Sequence, residues 1–130
     1  MIKEEYKLSE LTGKIIGCAM EVHKDLGLGF PEKIYQCALE IELEKQKLSF
    51  IKEKEITIYY KDKIVGKRRV DFLIEDSVCV ELKAISKLED KELNQALNYL
   101  KAYKMEIGLL INFGGNSLEF KRLINSNYNK

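Results

Sequence analysis

At 130 residues, 45% hydrophobic and 33% charged, the chain suits one ordinary globular domain over 1–130. A formal charge of +1 does not by itself mark a nucleic-acid binder, and one proline with eight scattered glycines leaves no linker, repeat or low-complexity tract. Three widely spaced cysteines, Cys18, Cys37 and Cys79, argue against a disulfide framework or zinc site and predict buried, reduced thiols.

In chain order, the opening Met-Ile-Lys-Glu-Glu-Tyr-Lys lacks the apolar run of a signal peptide. No later run reaches membrane-spanning length, so a cytoplasmic location without a membrane partner is expected. Leu8, Leu11, Ile15, Cys18, Ala19, Val22 and Leu26 recur at helical spacing, and Gly27 is placed to end that helix in a left-handed conformation. After a Gly-Leu-Gly-Phe turn, Pro31 opens a second helix where a missing amide donor costs nothing. Ile34, Tyr35, Cys37, Ala38 and Ile41 give it an apolar side, and it ends near Lys47.

From Phe50 the pattern alternates. Ile56, Ile58 and Tyr60 form one strand row, Lys61 to Lys63 turn, Ile64 to Ile74 form a second strand and Val78 to Lys83 a third. Ser86 and Glu89 predict a capping box before a helix marked by Leu93, Ala96, Leu97, Leu100 and Tyr103. Ile107 to Asn112 suits a strand buried on both faces. Gly114 and Gly115 punctuate, and Leu118 to Leu123 adds an edge strand. The order α-α-β-β-β-α-β-β predicts a mixed central sheet flanked by helices, in the α/β (α+β) class.

Candidate chemistry gathers in the segment 70–83. Directly opposed residues of an antiparallel pair share a face. A three-residue loop, Glu75 to Ser77, puts Val70, Phe72 and Ile74 on the same face as Val78, Val80 and Leu82, and sets Asp71 across from Glu81 with Lys83 beside it. Asp71 and Glu81 are hard oxygen ligands suited to Mg²⁺ or Mn²⁺. Lys83 can orient a metal-bound water and offset charge on a phosphate. The plain alternative is an exposed charged strand face, but carboxylates between apolar rows under a helix would be costly to bury for no purpose.

Gln95 and Tyr99 lie four apart on the helix after the third strand; they either border the same cleft or are a solvated glutamine and a half-buried tyrosine. Glu32, in the first turn of the second helix, is either favoured there by the helix dipole or serves as a third acidic ligand. His23 reads as structural. Lys61, Lys63, Lys67, Arg68 and Arg69 form a basic run that either meets phosphates or is solvated strand surface.

Gly29, Glu32 and Tyr35, with the segments Val22 to Gly27 and Leu109 to Gly114, resemble the GxxExxY family of PD-(D/E)xK-like proteins. That resemblance implies a restriction-endonuclease-like core. It maps metal-binding Asp and Glu-x-Lys onto Asp71, Glu81 and Lys83, an acidic helix residue onto Glu32, and a Gln-x-x-x-Tyr element beside the site onto Gln95 and Tyr99. The valine preceding Asp71, where many members have proline, removes no ligand. The function so implied is a Mg²⁺- or Mn²⁺-dependent nuclease acting on nucleic acid, with DNA the expected substrate. A non-catalytic binding or protein-interaction module on the same fold is the alternative, and a homodimer or a specificity-giving protein partner is compatible with either.

Overall fold

The computed structural model of the chain describes residues 8–126 and 128, so the charged opening segment lies outside the described residues. Helix α1 spans Ser9–Leu26 and buries Ile15, Ile16, Cys18, Ala19 and Val22, the stripe its periodicity predicts. Gly27 ends it at φ 71°, donating its N–H to the His23 carbonyl. Pro31 stands just outside α2, Glu32–Lys45, in an extended conformation. Strands β1 (Phe50–Tyr60), β2 (Lys63–Ile74) and β3 (Val78–Lys83) follow, then α3 (Asp90–Ala102), β4 (Ile107–Asn112) and β5 (Glu119–Ile124).

The five strands form one mixed sheet in the order β1-β2-β3-β4-β5. Only β3 and β4 run parallel, because α3 is the crossover between them; the other neighbours are antiparallel. Helices α1 and α2 cover one sheet face, where Ile15, Ala19, Tyr35 and Leu39 pack with Phe72, Ile74, Val80, Leu82 and Leu109. On the other face Ala96, Leu100 and Tyr103 pack with Val70, Cys79, Leu110 and Leu123. A strand between two such layers must be apolar on both sides, and all six residues of β4 are buried. Each fully buried aliphatic or aromatic side chain contributes roughly 1.5–3 kcal/mol, so these two layers carry the fold.

Three local expectations are corrected. The capping box of α3 is Glu89 with Glu92, whose Oε1 accepts the Glu89 N–H at 2.9 Å, and not Ser86 with Glu89. The helix cannot start earlier because the residues after β3 are held elsewhere: Asn112 accepts the Ile85 N–H and donates to the Ile85 carbonyl, both at 2.9 Å, and Glu119 accepts the Leu88 N–H. Cys37 is exposed, whereas Cys18 and Cys79 are buried thiols as expected. Val70 faces the α3 layer and not the layer of Phe72 and Ile74.

Gly114 closes the buckle between the two chain segments. A Cβ there would collide with the backbone of Ile85, whereas Gly13 in α1 has open space around it. Gly114→Ala is therefore expected to cost about 2–3 kcal/mol in chemical denaturation. Gly13→Ala should add about 0.5–1 kcal/mol. Equal effects at the two positions would contradict this packing.

Candidate active site

The register of β2 on β3 decides the site. Phe72↔Val80, Leu73↔Cys79 and Ile74↔Val78 are paired, the even-sum register of a three-residue turn, and Glu75 and Asp76 take φ of 52° and 53° to make that turn. One step further, Asp71 would stand across from Glu81, but there the ladder ends. Asp71 Oδ2 instead accepts the Leu82 N–H at 2.7 Å, so a carboxylate stands in for a backbone acceptor at the point where the strands part. From there β3 continues beside β4, ending at Lys83↔Asn112, while β2 continues beside β1 alone.

The slip that turns Val70 to the α3 layer occurs at this same point. Glu53 of β1 lies between the pairs Lys52↔Phe72 and Lys54↔Val70, directly opposite Asp71, and holds φ 56°. Both strands therefore break their alternation together, which carries Arg68 onto the α3 side. There its Cζ sits 3.9 Å from the Tyr99 ring centroid and its Nη2 lies 3.3 Å from Glu81 Oε2. Tyr103 donates its hydroxyl to Glu81 Oε1 at 3.3 Å and stacks on Tyr99 with ring centroids 6.0 Å apart. Arg68 Nε is buried with no hydrogen-bond partner among the described residues.

The electrostatics follow from this enclosure. Glu81 is 5% exposed, and burial pushes its carboxyl up to about 7; Asp71 adds to the rise, while Arg68, the Tyr103 hydroxyl and Lys83 oppose it. Burial also raises Asp71, against the Leu82 amide, Arg68 and Lys83. Glu32, exposed at the first residue of α2, is raised by partial desolvation and then by Asp71, against Lys83 and Arg68. One turn on, Gln36 is buried and donates to the Asp71 carbonyl at 3.3 Å, which holds the start of α2 against β2. Two acids and a half-buried Lys83 thus share one field at the parting of the strands, with Glu32 at its rim.

Other sequence candidates fall on either side of this group. Tyr99 joins it through Arg68. Gln95 is exposed on α3, and among the described residues no contact ties it to the cluster. His23 Nε2 donates to the Gly115 carbonyl at 2.9 Å, binding α1 to the turn after β4, a structural role. Alternation alone missed Arg68, Tyr103 and Gln36. The available signal was a cation in the otherwise apolar inward row of β2, three residues before Asp71.

Among the described residues no three His, Cys, Asp or Glu side chains come together as a metal-binding group, so Glu32 does not close a triad with Asp71 and Glu81. The donor chemistry nevertheless fits a hard cation. Mg²⁺ takes one or two carboxylates and keeps its waters, and these carboxyls, both lifted by burial and Glu81 also by Asp71, would be relieved by positive charge. Zinc would ask for nitrogen or sulfur ligands that this cluster does not offer.

A family model describing the PD-(D/E)XK nuclease superfamily matches residues 9–123. The chain belongs to the PD-(D/E)XK nuclease superfamily. Among solved structures, the crystal structure of SSO0001 superposes with a TM-score of 0.51 at 21% identity over 92% of this chain. That likeness shows the fold, and this chain spans 60% of that protein's length. No curated protein matches the sequence. The superfamily's mixed sheet flanked by helices is the architecture found here, and its members generally use divalent metals and bind nucleic acid. Among the described residues no helix is long and apolar enough to cross a membrane.

A carboxyl whose folded value lies above its unfolded one stays protonated in the folded chain while the unfolded chain ionises, so stability falls as pH rises through that interval. For Glu81 the interval runs from 4.5 to about 7. In the presence of chelator, Glu81→Gln should flatten the loss of stability between these pH values. It should stabilise the protein at pH 8 by on the order of 2 kcal/mol, with little change at pH 4. Parallel wild-type and variant melting curves across that range would contradict the buried, raised carboxyl.

Proposed function

We propose that the chain is a Mg²⁺- or Mn²⁺-dependent nuclease of the GxxExxY branch of its superfamily, hydrolysing phosphodiester bonds of nucleic acid, and of DNA foremost. The observation that carries this reading is the parting of β2 and β3 at Asp71, which leaves two desolvated carboxyls and Lys83 in one electrostatic neighbourhood at the sheet's open end. Asp71 and Glu81 would hold the cation, with Glu32 adding negative charge beside them. When bound, it supplies Lewis acidity toward a phosphoryl oxygen and a more acidic water.

The chain's own residues supply the rest. Lys83 donates to the attacking water or to a phosphate oxygen, orienting the one and offsetting charge on the other. Water oxygen bonds to phosphorus as the bridging P–O bond breaks, leaving one strand end with a phosphate and the other with a hydroxyl. Arg68, stacked over Tyr99 and paired with Glu81, would be available to a phosphate oxygen if Glu81 held the cation. Gln95 and Tyr99 border the approach for the substrate strand. Tyr35 supports the Glu32 turn: its hydroxyl donates to the Gly27 carbonyl at 2.6 Å and its ring stacks on Phe113 at 4.7 Å. A cytoplasmic site of action and a second copy or partner that adds specificity are compatible with this reading.

One observation favours a non-catalytic module: both oxygens of Glu81 already have partners, in Arg68 and Tyr103. A calorimetric Mn²⁺ titration separates the two. Wild type should bind the ion, and Asp71→Ala and Glu81→Ala should each weaken binding at least about tenfold, within the range that loss of a ligand or its support produces. Cleavage of single- and double-stranded DNA and RNA should drop at least about a hundredfold in Asp71→Ala, Glu81→Ala and Lys83→Ala. Equal residual cleavage in all four proteins would mark a contaminant and sink the assignment.

A further inference from the structure

Past Asp71, the segments Lys54–Tyr60 and Lys63–Val70 have only each other as ladder partners, because β3 pairs with β2 only from Phe72 onward. They form a two-stranded ribbon roughly 20 Å long at about 3.3 Å per residue. Its tip is a two-residue turn, Lys61 and Asp62, with φ of 48° and 66°, the left-handed pair that matches strand twist. Near the tip Tyr59, Tyr60, Ile64 and Val65 are 60%, 61%, 62% and 61% exposed, large side chains for which the fold has no use.

Charge is unevenly placed as well. Between Tyr59 and Arg69, five cations face a single acid, Asp62, a net of +4 in a chain whose total is +1. Among the described residues the one ion pair of this segment's lysines is Lys67 with Glu55 at 3.6 Å, both exposed and therefore weakly held, and Lys61 Nζ lies over the Tyr60 ring, 5.3 Å from its centroid. The register arranges one face into a track. Arg68 pairs with Ile56 and Gly66 with Ile58, and beyond the ladder shift Lys63 pairs with Tyr60, so alternation puts Tyr60, Lys63, the bare backbone at Gly66, and Arg68 on one side. Arg68 is the residue that reaches Glu81. The track therefore runs from an exposed aromatic and a lysine, across a flat glycine with open space above it, into the candidate site.

We propose that residues 54–70 are a gripping arm for a nucleic-acid strand, binding its phosphate backbone along Lys61, Lys63 and Arg68 and stacking a base on Tyr60. The inference deepens the nuclease reading by assigning the substrate grip that a small, nearly neutral chain otherwise lacks. Positive charge concentrated on a projecting ribbon complements a polyanion, and a two-stranded ribbon has the width that the major groove of a duplex admits. Base stacking on an exposed tyrosine suits a single strand.

The test is fluorescence anisotropy of labelled single-stranded and duplex oligonucleotides, with chelator present so that cation binding plays no part. Lys61→Ala/Lys63→Ala should lower affinity for both and reduce the slope of log affinity against log salt by roughly 2, about 0.9 per lost phosphate contact on duplex. Lys61→Arg/Lys63→Arg should restore both. Tyr60→Ala should weaken single-strand binding by about fivefold or more and leave duplex binding nearly unchanged. Lys45→Ala, exposed on α2 and away from the ribbon, should bind as wild type does, so loss of the arm is told apart from a general loss of positive charge. Unchanged affinity and slope in a folded Lys61→Ala/Lys63→Ala protein would overturn the arm while leaving the nuclease reading to its own titration. A wild type that binds no oligonucleotide at low salt but scatters light as a dimer split by Ile64→Lys would overturn it in favour of self-association.

Discussion

A single hydrogen bond, from the Leu82 amide to the Asp71 carboxylate, marks the place on which the rest of the molecule depends. Two antiparallel strands that separate must leave backbone donors and acceptors without partners, and burying them unpaired is expensive. Asp71 removes part of that cost by lending its side chain to β3. The strands can then diverge inside a well-packed protein, β3 joining β4 to complete the core and β2 leaving with β1 as a ribbon. An acidic residue is thereby anchored at the fork of the sheet.

The same fork explains the local charge balance. Glu81 lies on a central strand under α3, in surroundings that favour its neutral form. Arg68, Tyr103 and Lys83 act against that preference, the first two by direct contact with the carboxylate. An arginine lying on a tyrosine ring keeps its charge, loses little freedom and can exchange one anionic partner for another. Structural and chemical demands meet in these few side chains: what stabilises the free protein is also what a phosphate or a cation would have to rearrange.

Behind the fork, the support is rigid. Asn112, wholly buried, joins the segment after Lys83 to the turn after β4 through Ile85, Gly114 and Glu119. The Phe113 amide donates to the Lys83 carbonyl at 2.9 Å, so the lysine is held by its own backbone on a parallel ladder. On the other side, Tyr35 ties down the glycine-rich turn that presents Glu32. Precise placement of a reacting group requires support of this kind, because a side chain on a mobile loop loses orientation that binding energy would have to restore.

The hairpin register, the buried strand Ile107 to Asn112 and the helices were legible in the chain because each depends on a repeating pattern of apolar side chains whose period belongs to the element itself. The even-sum register of β2 on β3 followed from the length of the turn between them, but the ladder stops one step short of the Asp71–Glu81 pair that register implies. The position of Val70, the inward turn of Arg68 and its pairing with Glu81 were not legible, because they arise from a break in alternation shared by β1 and β2, and neither strand's pattern contains the other. The capping box shifted to Glu89 for a similar reason: Asn112 and Glu119, distant in sequence, hold the segment where a local signal favoured an earlier start. Local periodicity is enough to specify elements and their inner faces. Where two elements separate, and which distant side chain fills the gap, is decided only when long-range contacts satisfy buried polar groups that no neighbour in sequence can reach.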